Sequence, residues 1–425
     1  MRAVVVSLVL LGCAATSEGD AGPEVHGSLT TRYRLREGEG DDQDQDLFAV
    51  AAIETGDLEE QGWHGSLLAR VNRDLDGSDT TTFDDLSDVE GHQTDADIYH
   101  AWVDLDVGER LAPLRLGRQL LLGAPELPWF DGFSLATRPH GRRGWTFGAY
   151  GGVPFHLFAS RAGDLAAGAW VAGRPWDGGR ARLDVMRLED EVTLGSRQDD
   201  LIGLDLRHRA SEEVFLDGRA SWLEGDAREA RGGVAWMPEG WTLRLRHTEL
   251  FEAQRAHTLE ADPFFDTLRT LYPYSQTQAV LVRDLDPILF ECGGEMRRVE
   301  DAADVGEFNR DFDRSWIAVT LPEMGVEDLA LTVSADRWVS DTNETEGLGF
   351  DLVKQLGHSQ ASLGTARSLY KVDLFFDQED VDVRTWYMRW RRRPEDGLDL
   401  DLRYEYERAS GEDIHGLRMV VTWRF

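Results

Sequence analysis

The chain has 425 residues, 79 of them acidic and 45 basic, and its formal net charge of −34 disfavours nucleic acid, whose binders need clustered positive charge to displace counterions from phosphates. Outside the N-terminus no apolar run approaches the roughly eighteen residues of a spanning helix, so any bilayer crossing must use strands. The two cysteines, Cys13 and Cys292, give no disulfide framework and no thiolate zinc site.

Met1-Arg2, the apolar run from Ala3 to Leu11 and the small residues Gly12-Cys13-Ala14-Ala15 have the charge, length and ending of a secretory signal peptide. It is assigned to residues 1–15, with cleavage near Gly12 to Ser17, leaving 24–425 as one domain. Leu10-Leu11-Gly12-Cys13 also resembles a lipobox, the site at which a cysteine is lipidated. The alternative is a cysteine discarded with the signal.

The mature chain opens with Leu29, Thr31, Tyr33 and Leu35 alternating with Ser28, Thr30, Arg32, Arg34 and Arg36, the period of a half-exposed strand. Trp63 to Val71 repeats the pattern. Tyr99, Ala101, Val103 and Leu105 follow, with His100, Trp102, Asp104 and Asp106 facing the other way. The design recurs near Ala181, Ile202, Trp241 and Leu329, then at Trp386-x-Met388-x-Trp390 against Arg389 and Arg391. Finally Leu398, Leu400, Leu402, Tyr404 and Tyr406 oppose Asp399, Asp401, Arg403, Glu405 and Glu407. Five apolar residues opposite five charged ones describe a wall between oil and water. The fold class is therefore all-β, a single large antiparallel transmembrane barrel.

Pro175-Trp176-Asp177-Gly178, Met237-Pro238-Glu239-Gly240 and Pro394-Glu395-Asp396-Gly397 have the chemistry of tight turns. Asp74 to Asp97, Leu250 to Gln276 and Glu300 to Asp313 are longer connections at the other end, and Leu250 to Gln276 is a candidate plug. A generous count gives about twenty-three strands, whereas a bacterial single-chain barrel has an even number; the clash falls between Val107 and Arg174. The range that survives is 16 to 22.

Leu114-Arg115-Leu116-Gly117-Arg118-Gln119, followed by Trp129-Phe130-Asp131-Gly132-Phe133, resembles the alginate-export family of outer-membrane channels. In that family a strand carrying Gly-Arg-Gln precedes a strand opened by aromatic-Asp-Gly. Gly117, Arg118, Gln119, Phe130, Asp131 and Gly132 carry the match. The resemblance implies an 18-stranded barrel passing an anionic polysaccharide or small solutes, with outer-membrane lipid around it. Arg118 falls on the lipid parity, which requires either a bulge or an interfacial position.

Arg32, Arg34, Arg115, Arg180, Arg182, Arg207, Arg244, Arg246, Arg389 and Arg391 oppose apolar faces and should point into the lumen. Guanidinium rows could pass an anion along through many weak contacts. Asp104, Asp184, Asp205, Asp399, Asp401 and Glu405 share that parity, so the same rows read equally well as ladders that hold the wall in shape.

The Asp-rich stretch Asp74, Asp76, Asp79, Asp84, Asp85, Asp88, Glu90, Asp95 and Asp97 lacks the spacing of a calcium loop, and no metal or cofactor is assigned. An acidic outer loop would repel entering anions, which suits export better than uptake. Enzyme readings are poorer: eleven histidines are scattered singly, and His100 beside Asp104 is the best pair available.

The chain ends in Leu417, Met419, Val421, Trp423 and Phe425 alternating with Arg418, Val420, Thr422 and Arg424. Apolar residues at every second position up to a terminal Phe resemble the C-terminal signal of bacterial outer-membrane barrels, with Trp423 and Phe425 presented to the barrel-assembly machinery. Besides the alginate-export type of channel, a porin of another family, general or substrate-specific, and a plugged structural barrel remain as alternatives.

Overall fold

The computed structural model describes residues 24–38, 43–76, 94–125, 129–155, 165–192, 195–252, 272–304, 310–340, 344–368, 371–373, 378–380, 383–394, 397–409 and 412–425. The first strands are β1 (Val25–Glu37), β2 (Gln43–Thr55), β3 (Trp63–Asp74), β4 (Thr94–Leu105), β5 (Leu114–Leu120), β6 (Trp129–Ala136), β7 (Thr146–Pro154) and β8 (Leu165–Gly173). Next come β9 (Gly179–Val192), β10 (Gly195–Arg209), β11 (Val214–Leu223), β12 (Asp226–Trp236), β13 (Trp241–Leu250), β14 (Tyr274–Asp284), β15 (Leu289–Val299) and β16 (Phe312–Leu321). The last are β17 (Leu329–Ser340), β18 (Glu344–Leu356), β19 (Ser359–Ser368), β20 (Lys371–Asp373), β21 (Gln378–Asp380), β22 (Val383–Arg392), β23 (Leu398–Ala409) and β24 (Glu412–Arg424).

Among the described residues, 22 strands form one antiparallel sheet, and β20 and β21 form a small separate hairpin in the connection from β19 to β22. The sheet closes where β1 pairs with β24 from Ser28↔Arg424 to Glu37↔His415. Beyond that register Gly27 N–H donates to Phe425 O at 2.9 Å, and Phe425 N–H donates back to Gly27 O at 3.0 Å. The terminal residue thus completes the seam, and every strand of the ring has two neighbours.

The period-2 sequences become a two-faced wall because adjacent side chains leave a strand on opposite sides. Val103, Leu116, Phe133, Val185, Ile202, Val234, Leu245, Ile317, Val333, Leu348, Met388 and Met419 are all exposed and lie on one parity of the register. Asp46, Asn72, Asp104, Gln119, Asp184, Ser221 and Thr248 are buried and lie on the other, which faces the lumen. Exposed tryptophans Trp145, Trp176, Trp236, Trp241, Trp390 and Trp423 girdle the outer face at the end where both termini lie. An even-stranded antiparallel ring with an apolar outer band and an aromatic girdle is the architecture of an outer-membrane barrel.

The wall has 22 strands, which overturns the expected 18. The 18 came from the family resemblance, and the strand pattern was least informative between Val107 and Arg174. That stretch holds β5, β6, β7 and β8, of only 7, 8, 9 and 9 residues. The faces of β7 and β8 are built largely of Gly and Ala: Gly148, Ala149, Gly151 and Gly152 in β7, and Ala166, Ala167, Gly168 and Ala169 in β8. Side chains this small leave no hydrophobic alternation to count.

Of the three expected tight turns, those at 175–178 and 237–240 join strands at the end bearing the termini; Glu395 and Asp396 of the third lie outside the described residues. The longer connections lie at the opposite end, and they are shorter than the sequence suggested, because β3 runs to Asp74, β4 starts at Thr94 and β14 starts at Tyr274. The candidate plug between Leu250 and Gln276 lies largely outside the described residues, as do the signal peptide, Cys13 and the middle of the Asp-rich stretch.

Glycine is required where the short strands meet. A Cβ on Gly132 would sit 2.1 Å from Gly151 O and 2.6 Å from the Cα of Gly152, distances that force backbone apart rather than a side chain aside. Gly132→Val is expected to abolish the compact, heat-modifiable form of the barrel on unboiled SDS gels, whereas Gly232→Val, where a Cβ meets nothing within 4 Å, should leave it intact.

Candidate functional site

The lumen wall is not bare. After β5 the chain leaves the loop end and turns inward, so that Ala124 is fully buried and Arg219 of β11 donates from Nη2 to Ala124 O at 2.8 Å and to Pro125 O at 2.9 Å. Gly203 of β10 lies under Pro125, where a Cβ would meet the proline ring at 2.8 Å, and Gly123, at φ +94°, lies against the Arg182 guanidinium. Below it, Phe130, Tyr150, Ala166, Met186, Leu188, Leu201 and Leu223 form an apolar cluster with Ala124. The segment Leu121 to Pro125 is therefore packed onto the inner face of β9, β10 and β11. Leu122, Gly123 and Pro125 line a cavity of about 240 Å³ together with Arg180, Arg182, Arg207 and Arg219.

Next to it, toward the end bearing the termini, lies a larger cavity of about 890 Å³. Its lining holds seven arginines, Arg174, Arg180, Arg207, Arg209, Arg219, Arg231 and Arg246, against two aspartates, Asp205 and Asp217. Strand register explains the concentration. Arg180, Arg207, Asp217, Gly233 and Arg246 lie in one cross-strand row, and Arg182, Asp205, Arg219 and Arg231 in the next. Arg231 is paired with Glu229 at 3.1 Å, and like charges as close as the rest repel, so the lining carries an excess of positive charge within an otherwise acidic chain.

The ten arginines named from sequence separate into two kinds. Arg34 donates from Nε to Asp46 at 2.9 Å; Arg115 is bidentate to Asp104 at 2.8 and 2.9 Å; Arg182 is bidentate to Asp184 at 2.8 and 2.7 Å; Arg389 binds Asp401 through Nε at 2.8 Å and through Nη2. Asp46 and Asp184 retain only 4% and 2% side-chain exposure, so these are ladder pairs whose guanidinium is already committed. Arg391 stands 3.9 Å from the same Asp401, and Arg32 lies over the Phe48 ring at 4.0 Å. Arg207 is largely exposed and only loosely paired, 3.3 Å from Asp205. Arg180, Arg244 and Arg246 make no ion pair among the described residues.

The Gly117-Arg118-Gln119 and Phe130-Asp131-Gly132 segments, read from sequence as resembling alginate-export channels, have an architectural role. Arg118 is on the outer face, with no register shift at its position. It is bidentate to Asp131 at 2.7 and 2.8 Å, donates to Ile98 O at 3.0 Å and lies 3.4 Å from the centre of the Phe155 ring. Gly117 has φ +118°, and a Cβ there would be 2.2 Å from Ala101 O. Gln119 accepts from Ser134 Oγ at 2.6 Å, and Phe130 is fully buried against Tyr150. These six residues clamp β4 to β7 at the point where the inward segment departs. The rings of Trp423 and Phe425 lie 4.9 Å apart, tilted by 43°, at the end of the closing strand.

His100 and Asp104 are not a pair: His100 Nε2 meets Ser66 Oγ at 3.0 Å, while Asp104 is held by Arg115. From the acidic stretch, Asp97 is bound by Arg70 at 2.8 Å. Arg219 and Arg231 were missed, because in β11 and β12 they alternate with Gly218, Ala220, Ala230 and Gly232, too small to mark an apolar face; Arg209, the last residue of β10, was missed as well.

No protein-family model matches the chain, so the likeness to alginate-export channels is not shown. No curated protein matches it either. Solved structures of similar shape include Pseudomonas aeruginosa OpdO, at 13% identity over 95% of this chain and 97% of that one with a TM-score of 0.42. The Pseudomonas aeruginosa outer membrane protein OpdK is similar at 11% identity, 95% and 99% coverage and 0.43, and Acinetobacter baumannii OccAB2 at 11%, 95% and 98%, and 0.45. At these values the likeness carries no functional weight.

Two outcomes follow. Arg182→Ala strands the buried Asp184 carboxylate and should cost about 3–5 kcal/mol, read as a lowered temperature of barrel unfolding, whereas Arg244→Ala should leave that temperature unchanged. In a Cys292→Ser background, Ala124→Cys should react slowly with a thiol reagent, and Arg219→Ala should raise the rate roughly tenfold by releasing two charge-assisted bonds.

Proposed function

We propose that this chain is a substrate-selective outer-membrane channel for anionic solutes. The reading draws support from one observation: seven arginines face two aspartates around a lumen cavity next to an inward-folded segment. A barrel of this strand number is wide enough for an aqueous path. A segment tethered inside it narrows the path on the side where the guanidinium groups gather, so solute and arginine are brought within contact range.

The work is electrostatic and needs no covalent step. Exposed Arg180, Arg207, Arg244 and Arg246 attract a carboxylate or phosphate and bind it bidentately, while water around the groups keeps each contact weak enough to release. Arg34, Arg115, Arg182 and Arg389 belong to the scaffold in this account. An anionic polysaccharide as the solute draws only on the short motif. The cavity of about 890 Å³ is of the size that takes a small organic anion.

Under a potassium chloride gradient in a planar bilayer, the zero-current potential should have the sign of anion selectivity. Replacing Arg180, Arg244 and Arg246 together by Glu should lower the anion-to-cation permeability ratio roughly tenfold. Cation selectivity in the unmodified barrel would reject the anion reading.

A further inference from the structure

Further round the ring from the arginine patch, the lumen face of β15 to β18 carries a cavity of about 340 Å³ that the anion path does not use. Strand register builds it from two rows. Gly293, Trp316, Asp336 and Gly347 lie in one, and Glu291, Ala318, Ser334 and Gly349 in the next. A Cβ on Gly293 would lie 2.1 Å from Cζ2 of Trp316 and 2.5 and 2.7 Å from the two ring atoms bonded to it, so the glycine sits beneath a face of the indole and not at its edge. The indole N–H donates to Glu291 Oε1 at 3.0 Å, which fixes the ring flat against the wall with its other face toward the lumen. Beside it Ala318, Ser334, Gly347 and Gly349 are too small to fill the space, and they form the floor of the cavity. Two other lumen tryptophans, Trp102 and Trp170, each carry a guanidinium over the ring, Arg115 at 3.5 Å and Arg182 at 4.5 Å. Arg314 stands off from Trp316 at 5.4 Å and is turned to Asp336.

We infer that this cavity binds a hydroxyl-rich ring, a pyranose, whose C–H face rests on Trp316. The inference goes beyond the anion reading and needs only a lumen open to water. The polar groups around the platform decide the ligand class. Glu291 commits one oxygen to the indole, and its Oε2 has no partner among the described residues. Arg314 reaches a single oxygen of Asp336, from Nε at 3.2 Å and from Nη2 at 3.0 Å, and keeps 44% of its side-chain surface exposed. Ser334 adds a hydroxyl on the floor. A sugar hydroxyl donates and accepts at once, and it finds carboxylate acceptors, a guanidinium donor and a hydroxyl within one cavity. An anion would meet Glu291 and Asp336, a cation would meet Arg314, and a purely apolar ring would strand all of these groups. The C–H bonds of a pyranose face carry the partial positive charge that the negative face of an indole attracts. The volume is that of a small-molecule site.

The test is saturation-transfer NMR on the full barrel in a detergent without a sugar headgroup, with methyl β-glucopyranoside as the probe and sorbitol and tetramethylammonium for comparison. The glucopyranoside should receive saturation, and its dissociation constant should lie roughly tenfold below that of sorbitol, which has the hydroxyls but no ring face. Trp316→Leu removes the platform. Ser334→Leu fills the floor and leaves the indole and its carboxylate in place. Each should weaken glucopyranoside binding roughly tenfold while the heat-modifiable form is kept, and the second variant carries the test alone if the first does not fold. No transfer to the glucopyranoside, binding that the replacements leave unchanged, equal binding of sorbitol, or tighter binding of tetramethylammonium would overturn the inference. The permeability ratio of the same samples separates the two proposals: anion selectivity without sugar binding defeats only this one, and sugar binding by a cation-selective barrel defeats only the anion reading.

Discussion

Pairing β1 with β24 removes the two edges that an open sheet would present to an apolar medium, where an unsatisfied N–H or C=O cannot find water. Closure has a second effect, because once the register is fixed all the way round, each residue of the wall is committed to the lumen or to the lipid. A slip of one residue in any strand would turn its charges outward. The distribution of arginine in this chain depends on that constraint, which places the lumen set inside and Arg118 on the outer face.

Inside, charge is used in two ways. Where a carboxylate stands within reach, as Asp184 does of Arg182 two residues along β9 or Asp401 of Arg389 diagonally across β22 and β23, the pair stiffens the wall, and removing one partner leaves a stranded charge. Where β9 to β13 present arginines in excess of carboxylates, water in the lumen relieves the repulsion among them, and in the function proposed above an anion would relieve it further. The segment Leu121 to Pro125 makes the second use local. It fixes one side of the passage by spending Arg219 on its own carbonyl groups.

Much of this was legible in the sequence. Strands such as β1, β22, β23 and β24 place large apolar and charged side chains in strict alternation, and their faces follow directly. The number of strands did not, because β5 to β8 are short and the faces of β7 and β8 are largely Gly and Ala, so a wall of 22 was read as 18 through a family likeness. Arg118 could be placed only from the structure, since its bidentate hold on Asp131 is what lets a charge sit on the outer face. The inward segment was hidden for a further reason: Leu120 to Pro125 is a short apolar run ending in Gly-Ala-Pro, and nothing local distinguishes a loop that folds into a lumen from one that folds over a rim. The partner Arg219 lies 94 residues away from Pro125.

The central claim is that the closed wall encloses a conducting path despite the segment packed within it. Single-channel recording from the purified, heat-modifiable barrel in a planar bilayer tests this most directly. The account predicts discrete, reproducible current steps from the unmodified protein. Verified insertion of folded barrel without any such steps would contradict it, and would make the structure a filled wall rather than a channel.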